Sequence, residues 1–380
     1  MNILVITTSY PRDGTDPSGI FVKRLASALV EQGAKITVLA PGDTNAQSRE
    51  TVNGIHIVRF CYAPGPFMKI GYGAGGIPVN LRRWPWLFAI LPFFLASMVI
   101  HAIIMAKDCD VIHANWLATG FFSLPAKLIR RKPLVLTLRG SDLRKGTPKL
   151  LPFILKRADA VTTVNKKWAR DLRDAFQLNA VYTPNGVEVS ETAIDPKSAF
   201  GIGAHEIIVL FVGALHERKG ADILFKAARI LMGRDDPVKF LVIGPGDPDE
   251  FGLNALPNVI CTGGIPPNEV LTMYTRCDIF IIPSRFEGRP NVLLEAMASG
   301  LPSVATRLPG IMEVLTDESG ILIDIEDARA LADGICALAK DPERRKFMGQ
   351  RAKARISELS LDWQSSAGNY LHIFQEVCSS

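Results

Sequence analysis

The chain has 380 residues, 48% hydrophobic and 21% charged, a composition that excludes general disorder and supplies enough apolar mass for two domains with cores of their own. Its six cysteines (Cys61, Cys109, Cys261, Cys277, Cys336 and Cys378) never fall within four positions of one another, and its six histidines are unclustered. No metal-type pair is present, a protein-bound zinc site is not expected, and the cysteines read as small apolar residues in a reducing compartment. The net charge of +5 is unevenly shared: residues 1–190 hold 24 Lys plus Arg against 12 Asp plus Glu, and the remainder holds 19 against 26. A basic first half suits either an anionic partner (a phosphorylated ligand, a membrane surface or nucleic acid) or simply a solvated basic surface.

In chain order, residues 2–9 ("NILVITTS") read as a buried first strand, not a leader peptide, because no basic segment precedes the short apolar run. Residues 20–33 have helical spacing and end on a glycine, and 35–41 form a second strand. Between them, "SYPRDGTDPSGIFVKRLA" (9–26) is a strand–loop–helix junction in which Gly19 lets backbone approach a ligand, without the full glycine fingerprint of a dinucleotide site. The glycine-rich loop 61–80 is a candidate determinant of substrate choice.

Residues 84–106 ("WPWLFAILPFFLASMVIHAIIMA") carry no Asp, Glu, Lys or Arg and are long enough to span a bilayer. A span would separate the strands on its two sides, and Pro85, Pro92 and His101 interrupt it, so a core or interfacial helix is expected. Arg82 and Arg83 just before it suit contact with anionic lipid.

Strands follow at 110–115, 133–139 and 160–165, and a second series begins beyond residue 200, with strands at 206–215, 238–246, 258–263, 277–284 and 302–307 and a helix at 221–233. The turn-rich stretch 183–206 is the seam, and residues 360–380 form a terminal helix. The alternation predicts an α/β fold of two doubly wound domains, each binding ligands at the carboxyl ends of its parallel strands. "DCD" (108–110) enters a strand at the opposite end and reads as surface.

Two turns in the second series carry chemistry. "SRFEGRPNVLLEAMASG" (284–300) places Glu287 in a loop and Glu295 one turn into a helix, with Pro290 suited to the first turn. The amides around Gly288, Arg289, Asn291 and Val292 lie at a helix start, where free N–H groups and the positive dipole end bind anions. Carboxylates repel phosphate, so the two glutamates serve neutral groups on either side of it, such as sugar hydroxyls; alternatively they are a turn residue and a solvated helical residue. "VGALHERKG" (212–220) sets Arg218 and Lys219 at a second strand–helix turn, suited to a diphosphate. "DVIHANW" (110–116) puts His113 near a strand's carboxyl end, as a site residue or as a buried core histidine.

These blocks together, with "TPNGVE" (183–188), resemble the retaining glycosyltransferases of family 4 over nearly the whole chain, in the same order. "SGIFVKRLASAL" (18–29) is similar to members that build bacterial surface polysaccharides. The resemblance implies the GT-B fold: two Rossmann-like domains facing a cleft, here 1–188 for the acceptor and 189–362 for the nucleotide sugar, with a helix at about 363–380 crossing back to the first. It assigns Glu287 to donor-sugar hydroxyls, Glu295 to the ribose, and Lys219 to the diphosphate. His113 is assigned to the developing charge at the anomeric carbon. Gly19 and the amides of Gly288, Arg289, Asn291 and Val292 are placed around phosphate, with Pro290 in the same donor-binding loop.

Two positions depart from the family pattern: Ala214 stands where an arginine is common, with Arg218 nearby, and "LRGSD" carries Arg139 where histidine is common, placing Arg139 and Asp142 on the acceptor side. The implied reaction needs no cofactor or metal. The donor is a UDP- or GDP-linked sugar, the acceptor a lipid-linked or growing glycan, and the place the cytoplasm or the inner face of an anionic membrane. Same-face attack is expected, with the leaving phosphate as base. An epimerase or small-molecule transferase of the same fold is the alternative. No nucleic-acid partner is expected, because exposed aromatics do not interleave the basic residues.

Overall fold

The structure, a computed structural model, describes residues 1–72, 76–139, 142, 151–190, 192–234 and 237–379. Parts of the 61–80 loop, of the 183–206 seam and of "LRGSD" (Gly140 and Ser141) lie outside the described residues. Two compact units are present: Met1–Gly186 together with Trp363–Ser380, and Val187–Asp362.

The first unit is built on an eight-stranded sheet in the order Arg49–Val52, Ile55–Phe60, Lys35–Pro41, Asn2–Ile6, Val111–Asn115, Leu134–Leu138, Ala160–Thr163, Val181–Tyr182. All neighbours are parallel except the edge hairpin of Arg49–Val52 with Ile55–Phe60. The central strands are apolar on both faces, as a sheet covered by helices on both sides requires. Winding reverses between Asn2–Ile6 and Val111–Asn115, so the ligand-binding crevice of such a sheet opens at their carboxyl ends.

One face of this sheet is closed by the helix Ile20–Glu31 and by the C-terminal helix Trp363–Ser379, which returns to the first unit and buries Trp363, Ala367, Tyr370, Ile373 and Phe374 against it. The Ser366 hydroxyl donates to the Pro184 carbonyl at 2.8 Å, and the Gln32 amide donates to Gln364.

The opposite face receives the helix Leu87–Met105. It is the one helix among the described residues long and apolar enough to cross a membrane. Because the strands before and after it belong to one sheet, it starts and ends beside that sheet. It is not a plain core helix, since only Leu87, Phe94, Met98 and Ala102 are buried. Spacings of seven, four and four put these on one inward stripe. Phe88, Phe93, Ile100 and Ile104 are all more than half exposed.

The second unit is a six-stranded, wholly parallel sheet in the order Val259–Gly263, Val238–Ile243, Ile207–Val212, Ile279–Ile282, Ser303–Thr306, Gly320–Ile323. Its switch of winding falls between Ile207–Val212 and Ile279–Ile282. The loops leaving those two strands are the two turns singled out from the sequence.

Candidate active site

In the second unit the strand Ile207–Val212 runs out through Gly213 into a single 3-10 turn, Glu217–Lys219, before the helix Ala221–Met232. Gly220 joins turn to helix with φ +77°, and a Cβ there would strike the carbonyl oxygen of Pro283. Only glycine lets this turn lie against the neighbouring loop. The contact is fixed twice more. The Arg285 amide donates to the Arg218 carbonyl at 2.8 Å. The Arg285 guanidinium clamps Asp222 in bidentate fashion at 2.7 and 2.8 Å and also bonds Glu326 at 2.7 Å.

The tied loops bring Lys219 and Glu287 together: Lys219 Nζ is 2.6 Å from Glu287 Oε1, which also accepts the Ser284 hydroxyl at 2.8 Å. Both side chains are largely covered. Arg218, one residue earlier, is exposed. His216 caps the turn by accepting the Lys219 amide, and burial followed by the charges of Arg218 and Lys219 lowers its pKa, which favours the neutral ring.

Beyond Glu287 the loop is shaped from below. A Cβ on Gly310 would overlap the Gly288 carbonyl, so the chain at 309–310 supports the loop backbone to backbone. Pro290 occupies the N-cap position, one place ahead of the first turn expected for it, and the helix Asn291–Ala298 begins with no side chain capping it. Glu295 is not a solvated helical residue: it is 9% exposed and accepts the Tyr274 hydroxyl at 3.1 Å.

Arg289, whose amide the resemblance places beside phosphate, has a buried side chain that pairs with Glu313 at 2.6 Å. A guanidinium taken out of water needs a carboxylate, and Glu313 supplies one.

In the first unit Gly19 caps the helix Ile20–Glu31 with φ +64°, packed so closely on the Ser9 carbonyl that a Cβ would collide. The loop before it is held by Arg12, whose Nε bonds Asp16 at 2.6 Å.

His113 is enclosed. It sits in the strand Val111–Asn115 with no exposed surface, its Nε2 2.8 Å from the Thr137 hydroxyl and its ring packed between Tyr370 and Phe374 of the C-terminal helix. Burial, then the nearby Arg139 charge, pulls its pKa down to about 3. The neutral ring thus packs against two aromatics in the core of the first unit.

Arg139 takes the strand-end position instead. Its Nε donates to Asn115 Oδ1 at 3.0 Å and Nη1 to Asn185 Oδ1 at 2.8 Å, while its guanidinium lies over Phe21 at 4.5 Å. Neither asparagine was singled out from the sequence, although both lie within motifs that were. Asp142 accepts the Arg139 amide at 2.9 Å, and burial pushes its carboxyl up to about 6. "DCD" does lie at the amino end of its strand, where Asp110 accepts the Asn2 amide.

Two family profiles match this chain: "Glycosyltransferase Family 4" over residues 18–191 and "Glycosyl transferases group 1" over residues 196–355. A D-inositol 3-phosphate glycosyltransferase of Corynebacterium aurimucosum is 31% identical over 313 residues, covering 72% of this chain and 73% of its own. The chain belongs to the GT-B glycosyltransferases. It is also similar to a teichuronic acid biosynthesis glycosyltransferase, TuaC, of Bacillus subtilis, 25% identical over 355 residues and 88% of each chain. Among solved structures, Anabaena Alr3699/HepE in complex with UDP-glucose superposes with a TM-score of 0.74 at 19% identity, covering 99% of this chain and 100% of that one. The GT-B enzyme transfers a sugar from a nucleotide-diphosphate donor. The loops that carry Lys219 and Glu287 leave the two strands at which its second sheet reverses.

Proposed function

We propose that this glycosyltransferase moves a hexosyl group, with retention of configuration, from a UDP- or GDP-linked sugar to a lipid-linked or growing glycan of a cell-surface polysaccharide. The observation that carries the reading is the Lys219–Glu287 pair at the switch point of the second unit. A lysine there faces the charge that grows on the leaving diphosphate, and the exposed Arg218 adds to it. The amides of Gly288, Asn291 and Val292 at the helix start hold phosphate oxygens. Glu287 accepts hydroxyl protons of the donor sugar, and Glu295, half a helix further on and buried, accepts those of the ribose.

Departure of the nucleoside diphosphate leaves an oxocarbenium-like anomeric carbon. Glu287 is held by Lys219 and Ser284 on one oxygen, which suits a hydrogen-bonding carboxylate better than a nucleophile. We therefore favour attack by the acceptor on the face the diphosphate leaves, with its phosphate oxygen taking the acceptor proton. His113 has no part in this reading.

The acceptor's class draws support from the surface of the first unit. Phe93 is 66% exposed, and in the next helix, tied to Ile103 through Arg130, Leu128 is 70% exposed and Ile129 nearly as much. Arg82, Arg83, Lys107 and Arg131 are exposed alongside. Apolar side chains with cations beside them suit an anionic lipid surface, and the likeness to a teichuronic acid enzyme points the same way.

The test is a panel of UDP- and GDP-sugars incubated with the full chain and isolated membranes, reading released nucleoside diphosphate, labelled lipid and the product's anomeric configuration. Inversion, a glycosyl–Glu287 adduct, or an altered sugar formed without acceptor would overturn the reading.

A further inference from the structure

Arg139 ends the strand Leu134–Leu138 and is only 4% exposed, yet every side-chain acceptor it uses is a neutral amide oxygen. Asp142, the nearby carboxylate, is spent on the Arg139 backbone amide and not on its guanidinium. The third guanidinium nitrogen, Nη2, is buried without a hydrogen-bond partner among the described residues, and so is the Nδ2 of Asn115, whose Oδ1 receives Arg139 Nε. A buried guanidinium normally recruits a carboxylate, and a buried N–H left unpaired is strongly unfavourable. Arg59, another buried guanidinium of this unit, has the carboxylate of Glu50 at 2.8 Å. Both unpaired nitrogens, Arg139 Nη2 and Asn115 Nδ2, are donors.

The place is also specific. Asn115 and Arg139 end adjacent strands beside the point where the first sheet reverses its winding. Trp116, which follows Asn115, is held at φ +72°, a conformation disfavoured for so bulky a residue and frequent where backbone is strained for binding. Its ring meets Phe21 edge-on, and Phe21 in turn carries the Arg139 guanidinium.

We propose that Arg139 and Asn115 form an oxyanion subsite of the first unit, which takes a phosphate or carboxylate oxygen of the substrate. This rests on the glycosyl-transfer reading only for the substrate's identity. An anionic acceptor (a sugar phosphate or a uronate) and the donor diphosphate share the required chemistry.

Thermal unfolding of the full chain in sodium phosphate, sodium glucuronate and UDP, each against sodium chloride at equal ionic strength, tests the subsite without any assay of transfer. Phosphate or glucuronate raises the wild-type Tm by about 2–4 °C. Arg139→Met loses that response while its Tm in chloride stays level or rises, because an unpaired buried charge has gone. Asn115→Asp supplies an internal carboxylate, so it raises the Tm in chloride and abolishes the phosphate response. A wild type indifferent to both small anions, or an Arg139→Met that melts lower in chloride and still responds to phosphate, overturns the proposal. Kinetics then identify the source: the acceptor if Arg139→Met keeps acceptor-free hydrolysis of the donor but loses transfer to membranes, the donor if its KM for the nucleotide sugar rises more than tenfold. If no nucleotide sugar is turned over at all, the transfer reading fails while the anion response still stands or falls by itself.

Discussion

Lys219 Nζ and Glu287 Oε1 lie 2.6 Å apart although 68 residues separate them in the chain. The contact exists because Gly220 lets one strand-end turn rest on the other, and because Arg285 bridges the two. Glu287→Gln keeps the size and loses the charge; it is expected to lower kcat/KM by about 10²–10³-fold, the usual effect of removing one preorganised transition-state partner. Lys219→Ala is expected to do the same. As the two touch, their double variant falls well short of the product of the singles. Steady-state release of nucleoside diphosphate by the three variants checks this, with circular dichroism to show that each is folded.

The neighbourhood of that pair was legible because both residues occupy strand-to-helix turns of a parallel sheet, where the ends of the strands fix the place of a side chain. What the motifs could not show has a common cause in partners far away in sequence. His113 is the middle residue of the strand Val111–Asn115, and the rings packed on it, Tyr370 and Phe374, come from the last helix of the chain. Nothing in "DVIHANW" says which face they will cover. The partner of the Arg289 side chain, Glu313, lies 24 residues on and outside the motif. The 84–106 run was correctly a helix, yet its evenly apolar sequence has no polar face, so periodicity could not reveal which side chains would remain outside.

Gly220→Ala is the sharpest test of how the loops are joined. Alanine at φ +77° is strained, and its Cβ meets the Pro283 carbonyl. A loss of roughly 1–2 kcal/mol of stability follows from an unsuitable backbone alone. The fall in activity should exceed what stability explains, since Lys219 is displaced with the turn. Urea unfolding and kinetics of the same preparation separate the two effects.

The Arg289–Glu313 pair should behave as a buried ion pair. Glu313→Ala takes the carboxylate from a guanidinium that is almost wholly covered, and about 3–5 kcal/mol of stability should be lost. Arg289→Met with Glu313→Leu removes both charges, and it should recover most of that loss. If the single variant costs as little as an exposed pair would, the arginine has another partner strong enough to hold it.

Acid stability should carry two opposed signatures in the first unit. His113 is pulled from 6.5 down to about 3 by burial, so the unfolded chain binds the extra proton first. Its contribution to stability is complete above pH 6.5 and is lost as pH falls through that window towards 3, by up to about 1.4 kcal/mol per unit. Asp142 is raised from 3.8 to about 6, so its contribution is present below 3.8 and lost as pH rises through 6. Between pH 6 and 4 the two offset each other. Asp142→Asn should therefore steepen the loss of stability on acidification, and His113→Gln should flatten it; thermal melts from pH 7 to 4 read both slopes.

The exposed apolar side chains of the first unit give the last prediction. Phe88, Phe93, Ile100 and Ile104 leave one helix, and Leu128 and Ile129 leave the next. Burying one phenylalanine in a bilayer interface contributes about 1.5–3 kcal/mol, so Phe93→Ser should weaken binding to phosphatidylglycerol vesicles at least tenfold. Arg82→Gln with Arg83→Gln should weaken it less, and only at low salt, because exposed charges are screened beyond about 10 Å at 0.1 M. Vesicle sedimentation at two ionic strengths distinguishes the apolar from the electrostatic part. Release of nucleoside diphosphate to water in the absence of membranes should be unchanged in all these variants, since none of the residues belongs to the proposed catalytic loops. A wild-type chain that stays in the supernatant at low salt would remove the membrane from the proposed function and leave a soluble acceptor.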